Sequence, residues 1–364
     1  MKRISFKSYI YIPIFILAIH FCFWFFLLEF KPLITPAQNM LELLNHWDSG
    51  WYTKIYKYGY EIEESRAFFP LYSILIKIFT IDFHTLSPAL TGTILSTIFF
   101  FTFLFFLWKV RINQDNLPVW LYPKNMLCYL FFLLSPASYI YHTHHTESLF
   151  LLLSFLGLYF SYKNKFFTAS IIAGLCSVTK NQGILLAVTV AFMLCEHHDS
   201  NLKKLRTFII SGFISGTFFM SFLIYQFFAY SNPFEFIKAQ SNWHHIEHIS
   251  EYFKTLIMQN KFQDYSLGAI KHQLFFYLIF YYSLRLWKYS KPISIYCLCS
   301  VLILPMQGEV INSFRFLSYL FPTFFIMGIY ENKKELLLKM ILLIVFIFLN
   351  IQTVYNYAIL KWAY

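Results

Sequence analysis

Phe68-Phe69-Pro70-Leu71-Tyr72-Ser73-Ile74-Leu75-Ile76-Lys77-Ile78-Phe79-Thr80-Ile81 is the stretch on which the layout of this chain turns. It is apolar, but it falls short of the roughly 20 residues that a helix needs to cross a hydrocarbon core, and Lys77 interrupts it. A helix lying in the membrane interface suits it better than a span. The choice matters because a crossing here would move every later connection to the other side of the membrane. Basic residues arbitrate, since Lys and Arg favour cytoplasmic connections. With 68–81 in the interface and the N-terminus inside, the inner segments carry Lys2, Arg3 and Lys7; Lys109, Arg111 and Lys124; Lys163 and Lys165; Lys203, Lys204 and Arg206; Arg285, Lys288 and Lys291; and Lys333, Lys334 and Lys339. Every inner segment is then basic. A crossing would put these short basic loops outside, so the interfacial assignment is preferred.

Outward from that stretch, apolar runs predict about eleven spans, near 9–28, 88–108, 126–141, 147–162, 166–179, 183–196, 206–230, 272–287, 292–306, 314–330 and 337–357. The fold expected is all-α and polytopic, a single transmembrane domain over 1–364 with large outer loops at about 29–87 and 231–271. The pair 166–179 and 183–196 is short and is parted by Lys180-Asn181-Gln182-Gly183, the pattern of a helix pair that breaks toward the membrane centre. Composition agrees: 58% of residues are hydrophobic, 22% aromatic and only 13% charged, about half the charge of a soluble domain. The net charge of +11 is spread in small groups between apolar runs, which is the pattern of topology signals and not of a nucleic-acid-binding face. The six cysteines lie within apolar runs without CxxC spacing and read as buried filler. The run 9–28 is too long for a signal-peptide core, has no small-residue cleavage site after it, and is expected to remain as the first span.

Under this topology the polar residues that are costly at membrane depth gather at the outer face. The first outer loop holds His46-Trp47-Asp48-Ser49-Gly50-Trp51-Tyr52. A carboxylate among aromatics suits a general base beside sugar-stacking rings, and it equally suits an interfacial aromatic belt with one solvated Asp. His142, His144, His145 and Glu147 invite a metal reading, but no family-specific ligand spacing accompanies them, so a polar span cap or a substrate contact is preferred. His244 and His248 share a helical face, as an amphipathic surface helix would arrange them. Lys180, between two apolar runs, requires a counter-charge: a phosphate, Glu147, or an exit to the interface.

These clusters, in this order, resemble the GPI mannosyltransferase 2 (PIG-V) family of GT-C glycosyltransferases, bacterial relatives included. The resemblance rests on Trp47-Asp48, Gly59-Tyr60, Ala67-Phe68-Phe69-Pro70-Leu71, Thr146-Glu147-Ser148-Leu149-Phe150, Lys180-Asn181-Gln182-Gly183, Pro233-Phe234 through Ala239-Gln240 and Trp243, and Arg315-Phe316 leading to Phe321-Pro322. It runs from about 45 to 325. Where the family usually has an Arg-Ser-Asn-Gly-like stretch, this chain has Lys180-Asn181-Gln182-Gly183, which exchanges the fork of a guanidinium for a point charge. The resemblance implies transfer of mannose from a polyprenyl-phosphate donor to a lipid-linked or extracytoplasmic acceptor, with Asp48 as general base. It also implies substrate contacts from Trp47, Glu147, Lys180, Gln240, Trp243 and Arg315, with Lys180 and Arg315 the candidates for phosphate. Neither a metal nor another cofactor is expected, and the partners expected are the sugar donor, the acceptor and membrane lipids, with no nucleic acid. The expected location is a bacterial inner membrane or, in a eukaryote, the endoplasmic reticulum. A membrane transporter or flippase for a lipid-linked or polar substrate is the competing class; inverted repeats and midplane charges would favour it, and the sequence displays neither.

Overall fold

A computed structural model describes residues 43–82, 87–112, 117–241, 248–257, 267–307 and 310–361, with the isolated positions 18 and 363. Among them there are helices and turns and no strand. The expected first span at 9–28, and with it Cys22, falls outside the described residues apart from position 18. We number the described helices in chain order.

Helix α1 (Asp48–Tyr58) leads through a 3₁₀ turn (Glu63–Ala67) into α2 (Pro70–Asp82), the helix of the deciding stretch. Then come α3 (Pro88–Ile112), α4 (Met126–Leu133), a 3₁₀ turn (Ser138–His142) and α5 (Glu147–Tyr162). The chain continues through α6 (Phe166–Ser177), α7 (Gln182–Cys195), α8 (Asn201–Tyr230) and the short α9 (Glu235–Gln240). It closes with α10 (Ile249–Leu256), α11 (Leu267–Arg285), α12 (Lys291–Ile303), α13 (Ser313–Phe316), α14 (Phe321–Met327) and α15 (Lys333–Ala358).

Three of these, α3, α8 and α15, are long and apolar enough to cross a membrane. Their outward stripes explain where the hydrophobic composition goes. Along α3, Ile94, Ile98, Phe101 and Phe105 are exposed at helical spacing, and along α15 so are Leu337, Ile341, Ile344, Phe348 and Ile351. Water would penalise such stripes; lipid does not. Helix α5 is the opposite case. It is buried nearly all round and packs against α3, α6 and α7, as expected for a uniformly apolar helix at the centre of a bundle.

Two expected spans are broken in the structure, for identifiable reasons. The run 126–141 stops being α-helical after Leu133, because Pro136 lacks an N–H for the helical ladder. The carbonyls left over are taken by α15: Asn350 Nδ2 donates to Ser135 O at 2.7 Å, and Thr353 Oγ1 donates to Pro136 O. The run 314–330 is split into α13 and α14 by a turn at 317–320, with Pro322 at the start of α14 and Tyr141 donating to Ser318 O at 2.7 Å. The break between 166–179 and 183–196 lies where expected, at 178–181. It is tight because a Cβ on Gly183 would lie 2.0 Å from the carbonyl oxygen of Cys176.

Candidate active site

Asp48 opens α1, and the backbone just before it is unusual. Trp47 has φ 52° and ψ −131°, a conformation that a residue with a Cβ adopts only when its surroundings impose it. The surroundings are rings: His46 and Trp47 both pack against Tyr357 at the end of α15, with centroids at 4.9 and 5.7 Å. Ser49 Oγ donates back to His46 O at 2.5 Å. These contacts turn the Asp48 carboxylate, one-third exposed, toward α13.

There it meets Arg315, which is 3% exposed and donates from Nη1 to Asp48 Oδ2 at 2.5 Å. The same guanidinium donates from Nε to Glu147 Oε1 at 2.7 Å. Glu147 is fully buried at the first position of α5, where the helix dipole favours an anion. Its Oε1 also accepts from Lys180 Nζ at 2.8 Å, while Oε2 is buried with no hydrogen-bond partner among the described residues. Lys180 stands on the turn between α6 and α7, with its ammonium 5.2 Å from the ring centres of Phe316 and Tyr319. Burial pushes the Lys180 ammonium below its ordinary range, with the Glu147 charge opposing. Four segments far apart in sequence therefore supply two acids and two bases to one chain of ion pairs. Removed from water, such charges persist because each is paired.

A layer of neutral groups backs the charges. His144 is buried, with Nε2 3.3 Å from Thr53 Oγ1 on α1 and Nδ1 3.2 Å from Tyr72 Oη on α2. Tyr72 also donates to Gly92 O at 2.9 Å, and a Cβ at Gly92 would lie 1.8 Å from the imidazole. Burial pushes the His144 imidazole down to about 3, so it is neutral at physiological pH. His145 is shifted down as well, by burial first and by the Arg315 charge second, and its Nδ1 lies 2.8 Å from Thr143 Oγ1. Tyr52 reaches Thr146 at 3.5 Å; burial and then the charges of Glu147 and Asp48 raise its phenol above the ordinary range. The histidines and the glutamate thus do not converge on one point, and no metal-ligand group is found among the described residues.

The family model for mannosyltransferase (PIG-V) matches residues 30–354, a span containing every group just described except Tyr357. The chain belongs to the PIG-V mannosyltransferase family. One PIG-V relative, human GPI alpha-1,6-mannosyltransferase 2, is 26% identical over 209 residues, covering 54% of this chain and 42% of the human protein. The chain thus matches less than half the length of that curated PIG-V relative. No solved structure matches.

Of the PIG-V residues expected to act, the structure brings Asp48, Glu147, Lys180 and Arg315 into one cluster, with Trp47 beside it. Gln240 sits half-buried at the end of α9, which packs on the 63–67 turn, and takes part in none of the cluster's hydrogen bonds. Trp243 lies outside the described residues. Sequence reasoning missed Thr53, Tyr72 and Gly92 as the seat of His144, and Tyr357 as the wall behind Trp47. Tyr72, Gly92 and Tyr357 stand within or beside apolar runs and Thr53 in the first loop, settings they share with many other residues of their types.

Proposed function

We propose that this chain is an integral membrane mannosyltransferase that moves mannose from a polyprenyl-phosphate-linked donor to a hydroxyl of a lipid-linked or extracytoplasmic acceptor. The observation that carries the reading is Asp48, a partly exposed carboxylate at the open edge of a buried cation cluster, in a PIG-V family chain. In the inverting displacement, Asp48 takes the acceptor's hydroxyl proton as the acceptor oxygen bonds to the anomeric carbon. The bond from that carbon to the phosphate oxygen breaks on the opposite face, and its electron pair leaves with the lipid phosphate. A positioned base typically supplies about 10²–10⁴-fold, and the remainder comes from alignment and from cations matched to the leaving charge. Arg315 and Lys180 are the cations assigned to that phosphate. Trp47 offers a flat face to a sugar ring beside the base.

The sidedness adopted is the one derived from the basic residues, with the N-terminus cytoplasmic, about eleven spans and the cluster outside. An interfacial α2 is supported by its length and its two faces. Thirteen residues rise about 20 Å, short of the roughly 30 Å hydrocarbon core. Ile74 and Ile78 are exposed while Tyr72 and Ile76 are buried, and Leu71 N donates to Val178 O at 3.0 Å, tying the helix to the turn that carries Lys180. A lipid tail would enter beside this helix. The membrane is a bacterial inner membrane or the endoplasmic reticulum.

The deciding assay gives purified protein a labelled polyprenyl-phosphate mannose and candidate acceptors, with Asp48→Asn beside wild type. Turnover is expected to fall by about 10²–10⁴-fold in the variant with little change in donor KM. Equal turnover removes Asp48 as the base, and no transfer from any polyprenyl-phosphate sugar removes the donor assignment.

A further inference from the structure

The cluster contains a competition. If Asp48 is the base, a reading on which this inference rests, its carboxylate must receive a hydroxyl proton. Yet Oδ2 is already held by Arg315 Nη1 at 2.5 Å. The guanidinium is anchored elsewhere as well: Nε remains on Glu147, which is fully buried and held from the other side by Lys180. The anchored end of Arg315 is therefore in the core, and the end on Asp48 is at the edge where a ligand arrives.

We infer that Arg315 is a positioning residue that exchanges partners, holding Glu147 throughout and passing its Nη1 arm from Asp48 to the donor phosphate, so that the base is released only when donor is seated. The charges support the exchange. Among the described residues, the ion pairs of the cluster join two carboxylates, Asp48 and Glu147, to two cations, Lys180 and Arg315. A phosphodiester adds one negative charge, and the two cations of the cluster are both already engaged with carboxylates. Lys180 pairs with Glu147, whereas Arg315, itself 3% exposed, links Glu147 to the one-third-exposed Asp48 and so has an arm on the side where a ligand would arrive. Glu147 Oε2, buried and without a hydrogen-bond partner among the described residues, gives the guanidinium a second acceptor to pivot on as its outer arm moves. During transfer the proton goes to Asp48 and the electron pair goes to the phosphate, so negative charge leaves the first and gathers on the second. A cation moving the same way follows that charge. Donor is then required to bind before acceptor.

The experiment is a double-mutant cycle on binding of a polyprenyl monophosphate to the full chain in lipid nanodiscs, needing neither acceptor nor turnover. Because Asp48 and the phosphate compete for one arm, Asp48→Asn is expected to tighten binding by at least about fivefold. In the Arg315→Gln background the same change is expected to alter binding by less than about twofold. Unchanged binding in Asp48→Asn, or equal tightening in both backgrounds as simple repulsion predicts, overturns the exchange. Failure of wild type to bind the polyprenyl phosphate overturns the donor reading and the exchange with it; binding without coupling overturns the exchange alone. Should Arg315→Gln not fold, the wild-type structure with polyprenyl phosphate bound decides. Arg315 Nη1 on the phosphate and off Asp48 supports the inference, and Nη1 still on Asp48 overturns it.

Discussion

Replacing Glu147 with Gln leaves Lys180 and Arg315 facing one another in the core without their shared carboxylate. Breaking a buried pair by removing one partner costs about 3–5 kcal/mol, so Glu147→Gln is expected to lower the thermal unfolding midpoint in detergent sharply. Adding Lys180→Met should recover part of that loss, because one uncompensated charge is then removed; a double variant no more stable than the single would show that Lys180 is not the partner that matters. At this scale the sequence was informative in part. Asp48, Glu147, Lys180 and Arg315 each stand out as ionisable residues near apolar runs, where solitary charges are costly. That Lys180 and Arg315 share one oxygen of Glu147, and that Arg315 also holds Asp48, is a matter of angstroms that spacing along the chain does not encode.

Among the elements, the break between α6 and α7 is the most exacting. The Cβ of Gly183→Ala would meet the Cys176 carbonyl oxygen, a backbone atom that cannot rotate away, so the helices must part. Overpacking of this kind costs about 1–3 kcal/mol, and because the turn carries Lys180 the variant is also expected to lose transferase activity. Wild-type stability in a melting assay would contradict the close approach. A second joint ties the 63–67 turn to α9. Arg66 Nη1 donates to Glu235 Oε1 at 2.9 Å, and Gln226 connects Arg66 O to Phe236 N. Burial alone would raise the Glu235 carboxyl, but hydrogen bonds from Arg66 and Asn232 outweigh it and hold the group below its ordinary 4.5. An acid with a depressed folded value binds fewer protons folded than unfolded, so this joint contributes stability above pH 4.5 and loses it as pH falls through the lowered value. As pH falls below 4.5 the unfolding midpoint of wild type should therefore fall more than that of Glu235→Gln; parallel curves would dismiss the joint. Element existence was legible from hydropathy, and the breaks were legible only at Lys180-Asn181-Gln182-Gly183. Pro136 and Pro322 were visible, but whether a proline ends a helix depends on whether neighbours such as Asn350 and Thr353 can take the freed carbonyls.

For the whole molecule, the sidedness derived from Lys and Arg places the first outer loop and the 113–116 connection on opposite faces. Single cysteines introduced near Ser49 and Asn113 are expected to react with an impermeant maleimide from opposite sides of sealed vesicles; labelling from one side would make α2 a span and invert the layout. The sequence by itself determined that the chain is helical and lives in lipid, because composition and run length are sums over many residues and survive local error. It also marked Asp48 and its ionisable companions as the residues worth examining. Only the tertiary structure decided that His144 serves Thr53 and Tyr72, that Tyr357 backs Trp47, and that Asp48 meets Arg315 across more than two hundred residues of chain. Those pairings follow from how α1, α2, α13, α15 and the turn before α5 pack, and packing is settled by the shapes of whole helices fitting at once. A one-dimensional pattern carries the polarity of each residue and not the direction in which its helix points it.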